Sequence, residues 1–318
     1  MNRLKHLCWL SIMVIVSPSY IQAQTDRQLS IGAILPLSGE NAFWGINPKR
    51  GIELALRDIQ QEAPEQAHLR IIYEDDQCDP KRAVSAFHKL VNVDNVRIIL
   101  GPSCSSAALA VAPLAEKHKV LLFPFAEADS LSHAGEYIFR LWIPNGRQAR
   151  SLARFISASA KHFTAAILSI KNAYGETFSS IFADEFARLG RHVSIKEEYL
   201  PEDNDLRGQL LRIKAKKPEA LILIGYIPDS ARIVRQAKAL GLSLPLFGCS
   251  TLNSPDFLSD AGEAAEGMVI FDLPDLTQAA FRSRWLEAYG AAWPGLQSGA
   301  PLFYDITRLL AQRTLGNG

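Results

Sequence analysis

The sequence has almost no net charge and no basic stripe. Its 34 Lys and Arg stand against 33 Asp and Glu, leaving +1. Nucleic acid is not an expected partner, because neutralising a phosphate backbone needs clustered Lys and Arg. Long low-complexity tracts are absent, and no segment recurs at a fixed period. Catalytic signatures are missing too. There is no Walker A pattern and no Gly-x-Gly-x-x-Gly. Gly-x-Ser-x-Gly is also absent; Gly101-Pro102-Ser103-Cys104-Ser105 comes near it but lacks the final glycine. The seven histidines are scattered without metal-ligand spacing. No metal, cofactor or enzymatic activity is expected. A serine hydrolase is the remaining enzymatic alternative, because triads assemble in space rather than in sequence.

What the sequence does have is apolar surface. Hydrophobic residues make up 48% of 318, ample for one large or two medium domains. The first stretch, Met1–His6, carries Arg3 and Lys5, and an apolar run follows from Leu7 to Val16. Pro18 and a short polar segment ending Ile21-Gln22-Ala23 complete the order of a secretory signal, with cleavage expected after Ala23. The alternative is an N-terminal membrane anchor, but the run is short of the roughly 20 residues that span a bilayer. Export into the periplasm is expected. Of the four cysteines, Cys8 leaves with the signal. In an oxidising compartment Cys78 and Cys104 are the natural pair, each following an apolar strand-like run, Leu69–Tyr73 and Val96–Leu100. If those strands are neighbours, the two loops meet. The alternative is two buried free thiols. Cys249 is left over as a free thiol.

Apolar strand-like runs alternate with amphipathic segments along the chain. Strands are expected at Leu29–Leu35, Leu69–Glu74, Val96–Leu100 and Val120–Pro124. Helices are expected between them at Pro48–Gln61, at Asp79–Val91 (Asp79 as N-cap, Pro80 at the first position) and at Ser105–His118. A second series gives strands at Thr164–Ile170, His192–Tyr199, Ala220–Gly225, Leu244–Phe247 and Met268–Phe271. Its helices are expected at Gly146–Ser159, Tyr174–Leu189, Leu206–Lys214 and Asp229–Leu240, the last stopped by Gly241. Leu276–Tyr289 and Gly299–Thr314 read as helices again. Runs buried on both faces and alternating with helices mark parallel sheets. Two doubly wound α/β lobes explain the series better than one nine-stranded sheet. Trp142–Gly146 and Phe271–Pro274 would carry the chain between them. The expected division is 24–144 plus 275–318 for the first lobe and 145–274 for the second.

Ligands of open parallel sheets sit beyond the carboxyl ends of the strands. The strongest such spot is Gly101-Pro102-Ser103-Cys104-Ser105-Ser106, between a strand and a helix. Free N–H groups and the helix dipole favour an anionic group there, and Ser103, Ser105 and Ser106 add hydroxyls. The alternative is N-capping by one serine. Aromatic residues follow other strands: Phe43 and Trp44, Tyr174, and Tyr226. They are either pocket walls or core packing. Glu127-Ala128-Asp129 is either a solvated turn or the partner of a ligand cation.

Several segments resemble the leucine/isoleucine/valine-binding proteins of ABC importers. The run Tyr73–Val84 is similar to the segment around that family's first disulfide cysteine, and Ile99–Ser106 to the segment around its partner. Ile34-Leu35-Pro36-Leu37-Ser38-Gly39, Trp44-Gly45, Tyr174-Gly175-Glu176 and Ala261–Met268 match as well, in order and spacing, from about Leu29 to Leu310. The resemblance implies the type I periplasmic-binding-protein fold: two lobes joined by a hinge that close on a small ligand and hand it to a membrane permease. It implies that Ser105 holds a ligand carboxylate and that Trp44, Tyr174 and Tyr226 line the pocket.

Two positions depart from the family. An Ala-Thr pair that grips the amino-acid head group falls near Glu127 and Ala128. The second-lobe acidic residue that meets the ligand ammonium falls near Ser250. Either Glu127 or Asp129 supplies the counter-charge from the first lobe, or the ligand is not an α-amino acid. Members of the family also continue past the Phe303–Arg313 helix, so a C-terminally shortened first lobe is expected. The function implied is the solute-binding subunit of an importer for an amino acid or analogue. A periplasmic sensor of the same fold, feeding a regulator or receptor, is the alternative.

Overall fold

The structure is a computed structural model that describes residues 28–64, 69–158, 164–275, 277–291 and 294–314. The signal-peptide reading of Met1–Ala23 lies outside these residues, as do Ser159 and Leu276 at the ends of two expected helices.

Two parallel sheets form, as the two-series reading expects. The first is ordered β2-β1-β3-β4, from β1 (Leu29–Leu35), β2 (Leu69–Asp75), β3 (Ile98–Leu100) and β4 (Leu121–Phe123). Its register runs from Leu29↔Leu69 to Leu35↔Asp75, with Gly32↔Ile99 and Ile98↔Leu121 on the other side. The second is ordered β6-β5-β7-β8-β9, from β5 (Thr164–Ile170), β6 (His192–Tyr199), β7 (Ala220–Ile224), β8 (Leu246–Gly248) and β9 (Val269–Ile270). In both, the chain starts at an inner strand, adds one neighbour, then crosses to the other side. That reversal opens a crevice between β1 and β3 and another between β5 and β7, at the strands' carboxyl ends.

Among the described residues ten helices cover the sheets: α1 (Phe43–Glu62), α2 (Pro80–Asn92), α3 (Ser105–His118), α4 (Asn145–Ala158), α5 (Ala173–Arg188), α6 (Arg207–Ala215), α7 (Ile227–Ala239), α8 (Pro255–Ala261), α9 (Ala279–Tyr289) and α10 (Ala300–Thr314). Among the described residues none is long and apolar enough to cross a membrane. Asp79 caps α2 as expected, its side chain accepting from Arg82 N at 2.8 Å. Helix α1 starts five residues before the expected Pro48, which sits in its second turn. Proline there removes one early backbone bond and leaves the later turns intact.

The cores differ between lobes. Between the first sheet and helices α2 and α3, the core mixes alanines with single large side chains: Ala83, Ala108, Ala112 and Ala115 beside Phe87, Leu90 and Val111. In the second lobe α5 brings Phe178, Phe182 and Phe186 to one face at helical spacing, all fully buried, with Phe182 and Phe186 stacked at 5.2 Å. Residues after β9 return to the first lobe. Phe281 and Trp285 of α9 and Tyr304 of α10 pack on Leu54 and Ala55 of α1. Asp58 of α1 accepts from Arg284 at 2.5 Å and from the Tyr304 hydroxyl at 2.6 Å.

The Cys78–Cys104 disulfide is present, with Cα atoms 5.4 Å apart. The expected geometry is corrected: β2 and β3 are not neighbours, since β1 lies between them. The cysteines meet because Cys78 stands just before α2 and Cys104 caps α3, and those helices pack on each other. Cys249 is a buried free thiol.

Candidate functional site

Each sheet delivers an aromatic residue to its crevice in the same way. Trp44 lies in the first turn of α1, after β1, and Tyr174 in the first turn of α5, after β5. Each is followed by a glycine with no room for a side chain. A Cβ on Gly45 would stand 2.1 Å from the Pro36 carbonyl oxygen, and one on Gly175 2.0 Å from that of Ile170. The two helices therefore start directly against the strand ends.

The two crevices face one another across one narrow cavity lined by residues of both. The first lobe and the crossing contribute Trp44, Ser103, Cys104, Ser105, Phe125, Glu127 and Trp142; the second contributes Tyr174, Tyr226, Ser250 and Thr251. All of Trp44, Ser103, Ser105, Glu127, Tyr174, Tyr226 and Ser250, singled out in the sequence, line it. Sequence reasoning missed Phe125, Trp142 and Thr251. Phe125 follows β4, so the strand-exit rule that found the other aromatics would have found it. Trp142 was legible only as part of a crossing.

The N-terminus of α3 reaches the cavity without a side-chain cap. Cys104 is its N-cap and makes no capping bond, so the serine-capping alternative does not hold. The Ser105 hydroxyl oxygen instead accepts from the backbone N–H of Glu127 (3.3 Å) and of Ala128 (3.2 Å), which leaves its proton to donate. The Ser103 hydroxyl is buried with no partner. An uncapped 14-residue helix end with two adjacent hydroxyls suits an anionic oxygen. A hydrolase would need a base on one of these serines. Among the described residues no histidine lines the cavity, and Ser105 is engaged by backbone donors.

Among the described residues Glu127 is the single charged side chain of the lining, and it is 8% exposed. Its Oε1 accepts from the Trp142 indole at 3.0 Å, while its Oε2 is buried without a partner. Burial pushes its carboxyl up to about 7; the Gln148 amide and the Trp142 indole pull the other way, and the charges of Asp272 and Asp129 add to the rise. Asp129 does not share this position: its Oδ2 accepts from Gly146 N at 2.7 Å, at the start of α4.

The crossing itself is fastened to both lobes. Asn145 N donates to the Glu127 carbonyl at 2.7 Å, and its side-chain amide to the Tyr174 carbonyl at 3.1 Å. On the second lobe, polar groups are paired with one another. The Tyr174 hydroxyl meets Cys249 Sγ at 2.8 Å and Thr251 Oγ1 at 3.3 Å, and Thr251 donates to the Gly225 carbonyl at 2.7 Å. Ser250 donates to Gln148 Oε1 at 2.6 Å. Tyr174 and Tyr226 stack with ring centroids 5.5 Å apart and 14° between planes, offering a flat aromatic wall. Burial holds the Tyr174 phenol well above its ordinary range and raises the Cys249 thiol, so both stay protonated.

A protein of two doubly wound lobes, with a cavity between the carboxyl ends of their sheets, belongs to the class of two-lobed solute-binding proteins. More narrowly, this chain belongs to the periplasmic binding protein family, matching its pattern over residues 28–313. It is 28% identical over 256 residues to the Leu/Ile/Val-binding protein BraC3 of Rhizobium johnstonii, covering 79% of this chain and 69% of that one. Among solved structures, it is similar to the branched-chain amino acid transporter substrate-binding protein LivJ of Streptococcus pneumoniae in complex with isoleucine. The TM-score is 0.80 at 23% identity, covering 91% of this chain and 84% of that one. It is also similar to a solute-binding protein of an ABC transporter from R. palustris in complex with benzoate. There the TM-score is 0.79 at 23% identity, with 89% and 79% covered. At such identities these two likenesses speak for the fold, which is of the type I periplasmic-binding-protein kind.

Proposed function

We propose that the chain is the extracytoplasmic solute-binding subunit of an ABC importer, non-enzymatic, holding an amino acid or related small polar solute between its lobes. One observation carries this reading: both sheets direct their strand-exit residues into the same cavity, so a ligand there touches both lobes at once. Contacts made by both lobes exist only when the cleft is closed, and ligand binding therefore favours closure. The lobes divide as 24–144 with 275–318, and 145–274. The return of α9 and α10 onto α1 supports that division. Ser103 and Ser105, with the start of α3, take the carboxylate. Trp44, Tyr174 and Tyr226 flank the ligand body, and Ser250 fixes Gln148 beside it. The signal-like N-terminus and the named relatives support a periplasmic location and delivery to a membrane permease.

A thermal-shift screen of the exported, disulfide-bonded protein tests this. Leucine, isoleucine, valine or a related amino acid is expected to raise the melting temperature, since ligand at about 100 times its Kd adds about 2.7 kcal/mol. Ser105→Ala is expected to abolish most of that rise. Indifference to every amino acid and small carboxylate tried would refute the reading.

A further inference from the structure

Resting on that reading, we infer that Glu127 is the counter-charge for an ammonium group of the ligand, supplied from the first lobe and framed by aromatic faces, so that the cavity takes a zwitterion in preference to a plain carboxylate. The observations are geometric. Among the described residues Glu127 is the one charged side chain in the lining, and its Oε2 is buried without a hydrogen-bond partner. Removing a carboxylate from water without a full set of partners is costly, and a cation of the ligand would relieve that cost.

Among the described residues no cation is hydrogen-bonded or ion-paired to Glu127, although the charge of Arg140 is felt there. The Arg140 guanidinium is directed to the Ala128 carbonyl (2.9 Å) and the Ser132 hydroxyl (2.6 Å). The other charged neighbours, Asp129 and Asp272, are both acidic. Trp44, Phe125, Trp142 and the Tyr174–Tyr226 pair surround the site, and an ammonium over such faces gains further attraction. The uncapped start of α3 and the Ser103 hydroxyl lie in the same small cavity and receive the opposite charge. Among the described residues the second lobe places no acidic side chain in the lining to do this task; Ser250 stands there, already donating to Gln148.

A cation beside Glu127 favours its ionised form, so binding and proton release are linked. The Glu127 carboxyl stands at about 7 before ligand arrives. Affinity for an amino acid is therefore expected to fall about fivefold from pH 7 to pH 6 and about tenfold per unit below that. Nearly one proton is released on binding at pH 6. Tyr174, Tyr226 and Cys249, which also face Glu127, stay protonated across this range because burial raises all three. Asp272 is raised by burial too, so a variant must separate its contribution.

The experiment is calorimetry of the disulfide-bonded protein at pH 6 and 8, in buffers of differing ionisation enthalpy. The probes are leucine, its ammonium-free counterpart 4-methylpentanoate, and benzoate. Leucine should bind at least tenfold more tightly than 4-methylpentanoate at pH 8 and release a proton at pH 6. Glu127→Gln should lose at least tenfold in leucine affinity together with the proton release, with an unchanged circular dichroism spectrum as evidence of an intact fold. Should that variant not fold, Asp272→Asn decides: leucine-linked proton release that persists in it belongs to Glu127, and its loss there overturns the assignment. Leucine bound without proton release, or equally well by Glu127→Gln, overturns the assignment and leaves the solute-binding reading standing. So does a carboxylate that outcompetes leucine and tightens as pH falls, which would make Glu127 a protonated donor. If none of the probes binds at either pH, the amino-acid reading fails and takes this assignment with it.

Discussion

The two lobes contribute to one cavity by opposite means. On the first, polar groups reach the cavity unpaired: the start of α3, the Ser103 hydroxyl and one oxygen of Glu127. On the second, the hydroxyls of Tyr174 and Thr251 and the thiol of Cys249 bond among themselves and to the chain behind them, and what faces the cavity is a stacked pair of rings. Unpaired polar groups orient a ligand; paired ones beneath an aromatic wall hold that wall still. The lobes also differ in what holds each together. The first has a disulfide across a core containing many alanines, and the second a line of phenylalanines on α5.

That structural contrast can be broken by two variants. Phe182→Ala removes a fully buried, stacked ring from the second lobe and is expected to cost about 3–5 kcal/mol. Cys78→Ser with Cys104→Ser opens the staple of the first lobe; for a separation of 26 residues the chain-entropy account gives about 3–4 kcal/mol. Denaturant melts followed by near-ultraviolet circular dichroism would compare them. A double cysteine variant as stable as wild type would mean that the alanine-containing core suffices without its crosslink.

The fold was largely legible because inner strands such as β5 and β7 are apolar and buried on both faces. β1, β5 and β6 match their expected bounds end for end, and α3 does as well. Helix α8 was overlooked although Ser254 and Pro255 carry a readable start signal, with the Ser254 hydroxyl accepting from Asp256 N. It is short, and seven residues show little periodicity. The disulfide pair was legible from its loops, but the reason it closes is helix packing, which strand order did not reveal. At the site, strand exits pointed to Trp44, Ser105, Tyr174 and Tyr226. Gln148 was out of reach: it lies in the first turn of α4, with no strand exit of its own to mark it, and only the folded chain brings its amide near Glu127 and Ser250.

The polar asymmetry has a pH signature in the ligand-free protein. Burial lifts the Glu127 carboxyl to about 7, well above the range of an unfolded chain. A carboxyl raised by folding contributes stability that is complete below its unfolded pKa and is lost as pH climbs through the folded one. For Glu127 that loss is on the order of 3 kcal/mol between about pH 4 and pH 8. Asp76 in the first lobe and Asp229 in the second, both raised to about 7 mainly by burial, act in the same direction. The ligand-free protein is expected to melt at a lower temperature at pH 8 than at pH 5.5. Glu127→Gln should reduce that difference, and saturating leucine should reduce it in the wild type. A melting temperature that instead rises toward pH 8 would count against a protonated, cation-awaiting Glu127.

The smallest effect probes the claim that the second lobe's polar groups serve the wall and not the ligand. Cys249 is buried behind the Tyr174 ring and outside the cavity lining. Cys249→Ala removes one partner of the Tyr174 hydroxyl and leaves the other, Thr251 at 3.3 Å. A loss of about 1 kcal/mol in stability is expected, the usual worth of one neutral hydrogen bond. Leucine affinity should stay within about twofold, because Tyr174 keeps its ring in place through Thr251 and its stack on Tyr226. A tenfold loss of affinity with stability unchanged would show the Tyr174 hydroxyl turning toward the ligand in the occupied site, and the two lobes would then share the polar work.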